Sequence, residues 1–491
     1  MIDNLQLGFE AAAQPENLIF VLLGVTLGTV IGVLPGLGSS SGIAVLLPLT
    51  LTMEPLPALI MLAGVYYGCE YGGTICSVLL GVPGEGASIV TVLEGHKMAR
   101  RGRAGQALAI AAVGSFVAGT LSVIALSIAA PLFSEFAINF GAPETFALMI
   151  LGLVTVGGLV GGSRAKGYSM AALGAVLAMV GTDPVSGAPR FTLGLSELHF
   201  GIDLIAIVIG MVALSEIITQ GARRAREPIR SRYRDLMLKR EDLRKSRGAI
   251  ARGGVLGFLL GVLPGAGPTL STFFSYALEK RLAGKDSEFG RGDIRGVAGP
   301  ESANNAAVNG AMVPTLSLGI PGSGTTTILL GAFIAFGLQP GPLLLDNQPE
   351  LVWGLIASFY IGNVVLLILN LPLAPVFASL LRIPYTYIYP VVVVIAVTAA
   401  FAIDADMTHV WIAFGAGILG FFMIRYDYPV APAVLGLILG PLLETHLRRS
   451  IAMGRGSPDI FLERPIALSL FAVAALMVLV PLALRFARTR R

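Results

Sequence analysis

From Leu18 to Phe486 the chain is a run of long apolar stretches separated by short polar ones. Many stretches reach the roughly 20 residues that a bilayer-spanning helix needs. In the first half the pattern predicts helices near 18–34, 42–53, 57–81, 107–130, 143–162, 168–183 and 200–220, and the second half repeats it. Several of these segments are too short to span untilted. The expected fold is an all-α polytopic membrane protein of two inverted-topology repeats, with broken helices or re-entrant hairpins and one extra C-terminal helix.

The apolar stretches are interrupted in a matched way. Gly32-Val-Leu-Pro-Gly-Leu-Gly38 is answered by Gly261-Val-Leu-Pro-Gly-Ala-Gly267, and Leu80-Gly-Val-Pro-Gly-Glu-Gly86 by Leu318-Gly-Ile-Pro-Gly-Ser-Gly324. Paired breakers at corresponding places in two halves of a membrane protein point to a transport site. The repeat extends to Gly114–Gly119 against Ala357–Gly362, and to Ala130–Phe133 against Ala374–Phe377. Irregular backbone at membrane depth is tolerated where protein or a watery cavity covers it. The sequence is compatible with either a hairpin or an interrupted span at each break. The divisions read from the sequence are an N-terminal external segment (1–17), a first repeat (18–220), a basic cytoplasmic linker (221–252), a second repeat (253–447), and a loop, last helix and basic tail (448–491).

Charge gives the orientation. The linker and the tail Arg485–Arg491 are basic, and Met1–Asn17 is acidic, so the positive-inside rule puts linker and tail in the cytoplasm and the N-terminus outside, which is the periplasm if the membrane is a bacterial inner membrane. Inverted halves predict opposite charge in equivalent loops. Lys97–Arg103 holds four basic residues and Ala332–Glu350 none; Glu279–Arg295 is basic and Thr50–Pro57 is not. Ser163–Gly167 carries Arg164 and Lys166, against two Asp in Ile403–His409. One loop runs against the rule: His446–Pro465 is expected outside yet contains four Arg.

Composition narrows the class. The chain is 55% hydrophobic and only 13% charged, about half the charged share of a soluble domain. A net charge of +4, held in a few loops, implies no nucleic-acid partner. Cys69 and Cys76 lie in one apolar stretch and read as buried thiols. The N-terminus lacks the basic start of a cleaved signal peptide. No phosphate-binding loop, serine-nucleophile elbow or zinc-protease motif is present. His96, His199, His409 and His446 are scattered without metal-ligand spacing. The expectation is therefore no enzyme, no metal and no cofactor.

The breaks carry the candidate chemistry. Each leaves helix ends inside the membrane, and a helix N-terminus offers unpaired N–H groups and the positive end of a dipole. Glycine lets an anion approach that backbone closely. The expected substrate seat is Gly36, Gly38, Ser39, Ser40, Gly84, Gly86, Gly265, Gly267, Thr269, Asn304, Asn305, Gly322, Ser323, Gly324 and Thr325. Ser41, Ser88, Ser271 and Thr326 are assigned to a coupling ion, since hydroxyl and carbonyl oxygens suit Na⁺. Glu85 reads either as a cation ligand or as a helix-end residue. Glu70 and Tyr71 can line the cavity, with packing the simpler use for Tyr71. Glu216 and Glu444 read as caps or as ion-pair partners of Arg223, Arg448 or Arg449.

These motifs resemble the large membrane subunit (TctA-like) of the tripartite tricarboxylate transporter family, from about Val25 to Ile451. The specific parts are Gly261–Thr269, Tyr276–Lys280, Glu301-Ser-Ala-Asn-Asn-Ala-Ala307, Leu318–Thr325 and Gly440–Glu444. The resemblance implies an ion-driven symporter of the bacterial inner membrane, coupled to Na⁺ or H⁺, that imports citrate-like di- or tricarboxylates. It also implies two partners, a small membrane subunit of about four helices and a periplasmic solute-binding protein. An anion channel or exchanger using the same helix ends is the alternative.

Overall fold

The computed structural model describes all residues except 1, 35–36, 138–139, 160–162, 184–185, 221–228, 230–235, 285–286, 382, 384, 404 and 490–491. It is almost wholly helical; the strands among the described residues are the two-residue pair Gly181–Thr182 and Pro189–Arg190. The first half holds α1 (Ile2–Ala12), α2 (Pro15–Val33), α3 (Ser39–Thr50), α4 (Pro55–Leu80), a helical run over 86–100, α5 (Ala104–Ala137), α6 (Ala142–Leu159), α7 (Arg164–Leu177) and a run over 204–220 with a π turn. The second holds α8 (Arg240–Val262), α9 (Gly267–Ala283), α10 (Arg295–Leu318), α11 (Gly324–Ala335), α12 (Pro349–Asn370), α13 (Tyr385–Ala402), α14 (Met407–Arg425) and α15 (Val430–Met453), before a last helix α16 (Pro465–Thr489). From α2 and α8 onward the main elements correspond one to one, so the halves share an element order.

They also share packing. A Cβ on Gly24, Gly28 or Gly32 would lie 2.3 Å from the carbonyl oxygen of Met61, Val65 or Cys69 respectively. In the second half Gly253, Gly257 and Gly261 meet the carbonyls of Gly299, Ala303 and Ala307 at 2.3–2.5 Å. Without a hydrophobic drive between helices in lipid, close backbone contact at small residues holds such pairs together. In both pairs residue numbers rise together, so α2 runs parallel to α4, and α8 parallel to α10. The chain can join parallel neighbours only by returning first, and α3 and α9 make those returns. The motifs around Pro35 and Pro264 therefore mark hairpins. Leu34 and Leu263, each before a proline, adopt the extended conformation that proline imposes on its predecessor.

The second pair of breaks differs. α4 ends on Gly81 and α10 on Gly319, both left-handed at φ 67°. The chain folds back so that Gly84 packs on Gly73, and Gly322 on Ala311. It then resumes its direction: Gly95 reaches Val78, and a Cβ on Gly81 would touch His96. These are interrupted spans. α4 and α10 pair through Tyr67 with Asn309 and Thr74 with Glu301, numbers running in opposite senses, so these two helices are antiparallel.

Five helices among the described residues are long and apolar enough to cross a membrane: α2, α5, α12, α14 and α15. Their outward faces carry exposed Leu22, Leu121, Ile128, Ile368, Trp411 and Phe422, far more apolar surface than a soluble monomer shows. Three features depart from the sequence reading. Residues 2–12, expected as a plain terminal segment, form a helix whose Gly8 packs on Trp353. The helix expected over 168–183 ends at Leu177; Gly181–Thr182 instead pairs antiparallel with Pro189–Arg190, and Asp183 accepts from Ser186 N–H. The last part of the linker, from Arg240, is already α8. Of the four arginines of His446–Pro465, Arg448 is held by acids, Asp183 at 2.6 Å and Glu444 at 2.5 Å, and Glu444 also pairs with Arg190 at 2.8 Å.

Candidate functional site

The four breaks meet. The Ser39 N–H at the start of α3 donates to Glu85 Oε1 at 3.3 Å, and its hydroxyl bonds the same oxygen, joining the first break to the second. The Ser39 and Ser40 hydroxyls lie 2.7 and 3.1 Å from Thr325 Oγ1, joining the first to the fourth. Gly265 N–H donates to Gly322 O at 3.0 Å, joining the third to the fourth. A Cβ on Gly86 would lie 3.1 Å from Thr269 Oγ1, bringing the second against the third. Three helices of a dozen residues or more, α3, α9 and α11, thus start at one place, each with the positive end of its dipole there.

The second and fourth breaks are built alike. Glu85 N–H donates to Ser88 Oγ at 3.2 Å, and Ser323 N–H to Thr326 Oγ1 at 2.8 Å. Both are turns in which a hydroxyl satisfies the backbone of the residue before the helix. Glu85 and Ser323 therefore stand at equivalent positions with different side chains. Glu85 bonds Ser39, whereas Ser323 faces Tyr66 OH at 3.1 Å.

A cavity of about 410 Å³ opens on this junction, lined by Gly38, Ser40, Glu85, Gly324 and, from the run 204–220, Ser215 and Glu216. A second, of about 640 Å³, lies on the other side of the fourth break, lined by Thr145, Gly319, Ile334, Gln348 and His446. Behind the first cavity the polar groups go deep. Glu70 and Glu301 are each 1% exposed and Asn304 is 0% exposed. Glu301 is satisfied by the Thr74 hydroxyl at 2.6 Å and by Thr91. Glu70 is not: its carboxyl lies within bonding reach of Glu85 and Asn304. Yet Glu70 Oε2, Glu85 Oε2 and both amide atoms of Asn304 make no hydrogen bond of ordinary geometry. Unpartnered buried polar atoms are rare enough to need a reason.

The residues expected from sequence fall into three groups. Gly38, Ser40, Ser41, Gly84, Gly86 and Gly324 line the cavity, with Ser39 and Thr325 buried directly beneath. Gly265, Gly267, Gly322 and Ser323 hold the breaks together: Gly265 and Gly267 are left-handed, Gly267 packs on Ser323, and Gly322 on Ala311. Asn305 bonds Ser115 at 2.6 Å and so ties α10 to α5. Of the hydroxyls assigned to a coupling ion, Ser41 reaches the cavity. Ser88, Ser271 and Thr326 donate to the Glu85, Gly267 and Ser323 carbonyls within their own turns. Gly36 and Arg223 lie outside the described residues. Glu216 lines the cavity, and Glu444 pairs with Arg448 and also Arg190. Tyr66 was missed. The repeat offset would have found it, since Tyr66, Tyr67 and Tyr71 stand where the second half has Asn304, Asn305 and Asn309, the same interval that separates Gly81 from Gly319.

The family model described as "Tripartite tricarboxylate transporter TctA family" matches residues 18–435. An uncharacterized 52.8 kDa protein of Agrobacterium vitis, from the region 3′ of ttuC′ in TAR-I, is 47% identical over 483 residues, covering 98% of this chain and 96% of its own length. An uncharacterized protein from the corresponding TAR-II region of the same organism is 46% identical over 226 residues, 46% of this chain and 93% of its own. No solved structure matches.

Proposed function

This chain belongs to the tripartite tricarboxylate transporter TctA family, and on that premise we propose that it is the permease through which a citrate-like di- or tricarboxylate enters the cell. The observation that carries this reading is the meeting of four broken elements at one junction, with a cavity opening on it that residues of the first, second and fourth breaks line, the N-terminal turns of α3 and α11 among them. Such ends supply N–H donors and positive potential to a carboxylate without a basic side chain. The cavities on either side of the fourth break support alternating access, with hairpins and interrupted spans moving as a unit against the remaining helices. Antiparallel α4 and α10, each parallel to its own hairpin's first helix, support inverted repeats.

In this reading the driving force is an ion gradient, the membrane is the bacterial inner membrane, and a periplasmic binding protein and a small membrane subunit complete the system. The linker and C-terminus face the cytoplasm and the N-terminus the periplasm. Contacts between segments of like assigned side support that topology: Lys97 bonds Gly290 O, Lys166 bonds Tyr426 O, and Asp183 pairs with Arg448.

The test is uptake into proteoliposomes holding this chain, the small subunit and the binding protein. Gly265→Val is a poor probe, because a Cβ there lies 2.9 Å from the Val156 backbone at φ 78° and would disturb the fold whatever the site does. Gly38→Leu is better, since its backbone is extended and a Cβ meets Glu85 at ordinary contact distance. A well-folded Gly38→Leu protein is expected to lose uptake; undiminished uptake would remove the cavity as the substrate seat.

A further inference from the structure

We propose that Glu70 and Glu85 hold one sodium ion at the junction of the broken helices, with Asn304 and Ser39 completing its oxygen shell. The proposal deepens the transport reading by giving the driving ion a seat, and it rests on that reading only for the use to which the ion is put. The two carboxyls lie within bonding reach of each other at membrane depth, and no Lys, Arg or His is among the charged groups around them; the third acid nearby is Glu301. Two carboxyls in such a place do not both stay ionised; with one proton on the pair a single charge remains, which one monovalent cation balances. A shared proton would remove one charge but would leave the other groups idle. They are not idle by construction. Asn304 is fully buried and reaches Glu70, yet its amide oxygen and nitrogen have no hydrogen-bond partner. Glu70 Oε2 and Glu85 Oε2 are likewise open, and Ser39 Oγ already touches the Glu85 carboxylate.

These oxygens come from α3, α4, the second break and α10, so the ion would bind both hairpin and interrupted-span elements of the two halves. One carboxylate charge with neutral carboxyl, amide and hydroxyl oxygens around it matches a monovalent cation. No group of three His, Cys, Asp or Glu gathers among the described residues, which leaves a transition metal without a seat. The site also explains how an anion can use the α3 N-terminus. Glu85 itself occupies that N-terminus through Ser39 N–H. Drawing the Glu85 charge onto sodium frees the helix end for a substrate carboxylate.

The experiment is equilibrium binding of radioactive sodium to the purified chain in detergent, without any carboxylate, in parallel with thermal unfolding in sodium chloride or choline chloride at equal ionic strength. Saturable binding and a sodium-specific rise in unfolding temperature are expected for the unaltered protein. Glu70→Gln and Glu85→Gln should weaken binding by roughly tenfold or more. Glu301→Gln, whose oxygens accept from Thr74 and Thr91, should retain it. Absence of saturable binding in the unaltered chain, or stabilisation that follows pH alone, would overturn the proposal. So would unchanged sodium affinity in folded Glu70→Gln. Sodium binding without carboxylate uptake would leave this site standing and count against the transport reading; uptake without sodium binding would do the reverse.

Discussion

Ser39 does more at this junction than any other hydroxyl. Its N–H and side chain hold Glu85, and the same side chain meets Thr325. Ser39→Ala removes two side-chain bonds at a buried point, each worth about 1 kcal/mol, so uptake is expected to fall by up to roughly thirtyfold. A transport assay on matched amounts of folded protein checks this. Away from the membrane, Asp293 anchors the loop before α10. Burial works against its charged form, but hydrogen bonds from the Arg295 side chain and backbone, with the charges of Arg295 and Lys245, outweigh it and hold the carboxyl below its ordinary range. A lowered folded value means that the stabilisation is complete above the unfolded carboxyl range, near pH 4, and is lost as pH falls through the folded value. Asp293→Asn should therefore destabilise the protein by about 1–3 kcal/mol at neutral pH, and the gap to the unaltered chain should close in strong acid; unfolding curves at the two pH values test it.

At the scale of elements, the glycine stripes are the most exacting feature. A Cβ on Gly257 would sit 2.3 Å from Ala303 O, whereas one on Gly415 would meet open space. Gly257→Val is expected to cost upwards of 3 kcal/mol and to yield little folded protein, while Gly415→Ala in α14 should be neutral or slightly stabilising. Yields after size-exclusion chromatography distinguish the two. Most elements were legible from the sequence because apolar length and Pro-Gly breaks are local signals. Hairpin and interrupted span were not distinguishable. Both consist of a short helix, a proline and another short helix; the difference lies in whether the partner helix runs parallel, which only the Gly28–Val65 type of contact reveals. α1 was missed because its anchoring contact, Gly8 on Trp353, is distant in sequence.

For the whole molecule, the matched halves were readable from the repeated motifs, and the meeting of all four breaks was expected from them. The character of the meeting point was not. The sequence pointed to hydroxyls and glycines, and many of those are spent on turns and packing, as Thr326 and Gly322 show. Nothing local in the sequence indicates that Glu70 and Glu85, on two sides of a fold-back, face each other. The central claim is that a carboxylate sits where the four breaks meet. The most direct test places a single cysteine at Ser40 on the cavity wall, in a chain whose buried Cys69 and Cys76 are replaced by serine, and follows its alkylation by a small charged maleimide. Citrate, or whichever di- or tricarboxylate the proteoliposomes accumulate, should slow the reaction in a saturable way. An alkylation rate indifferent to a carboxylate that the same preparation transports would contradict the account.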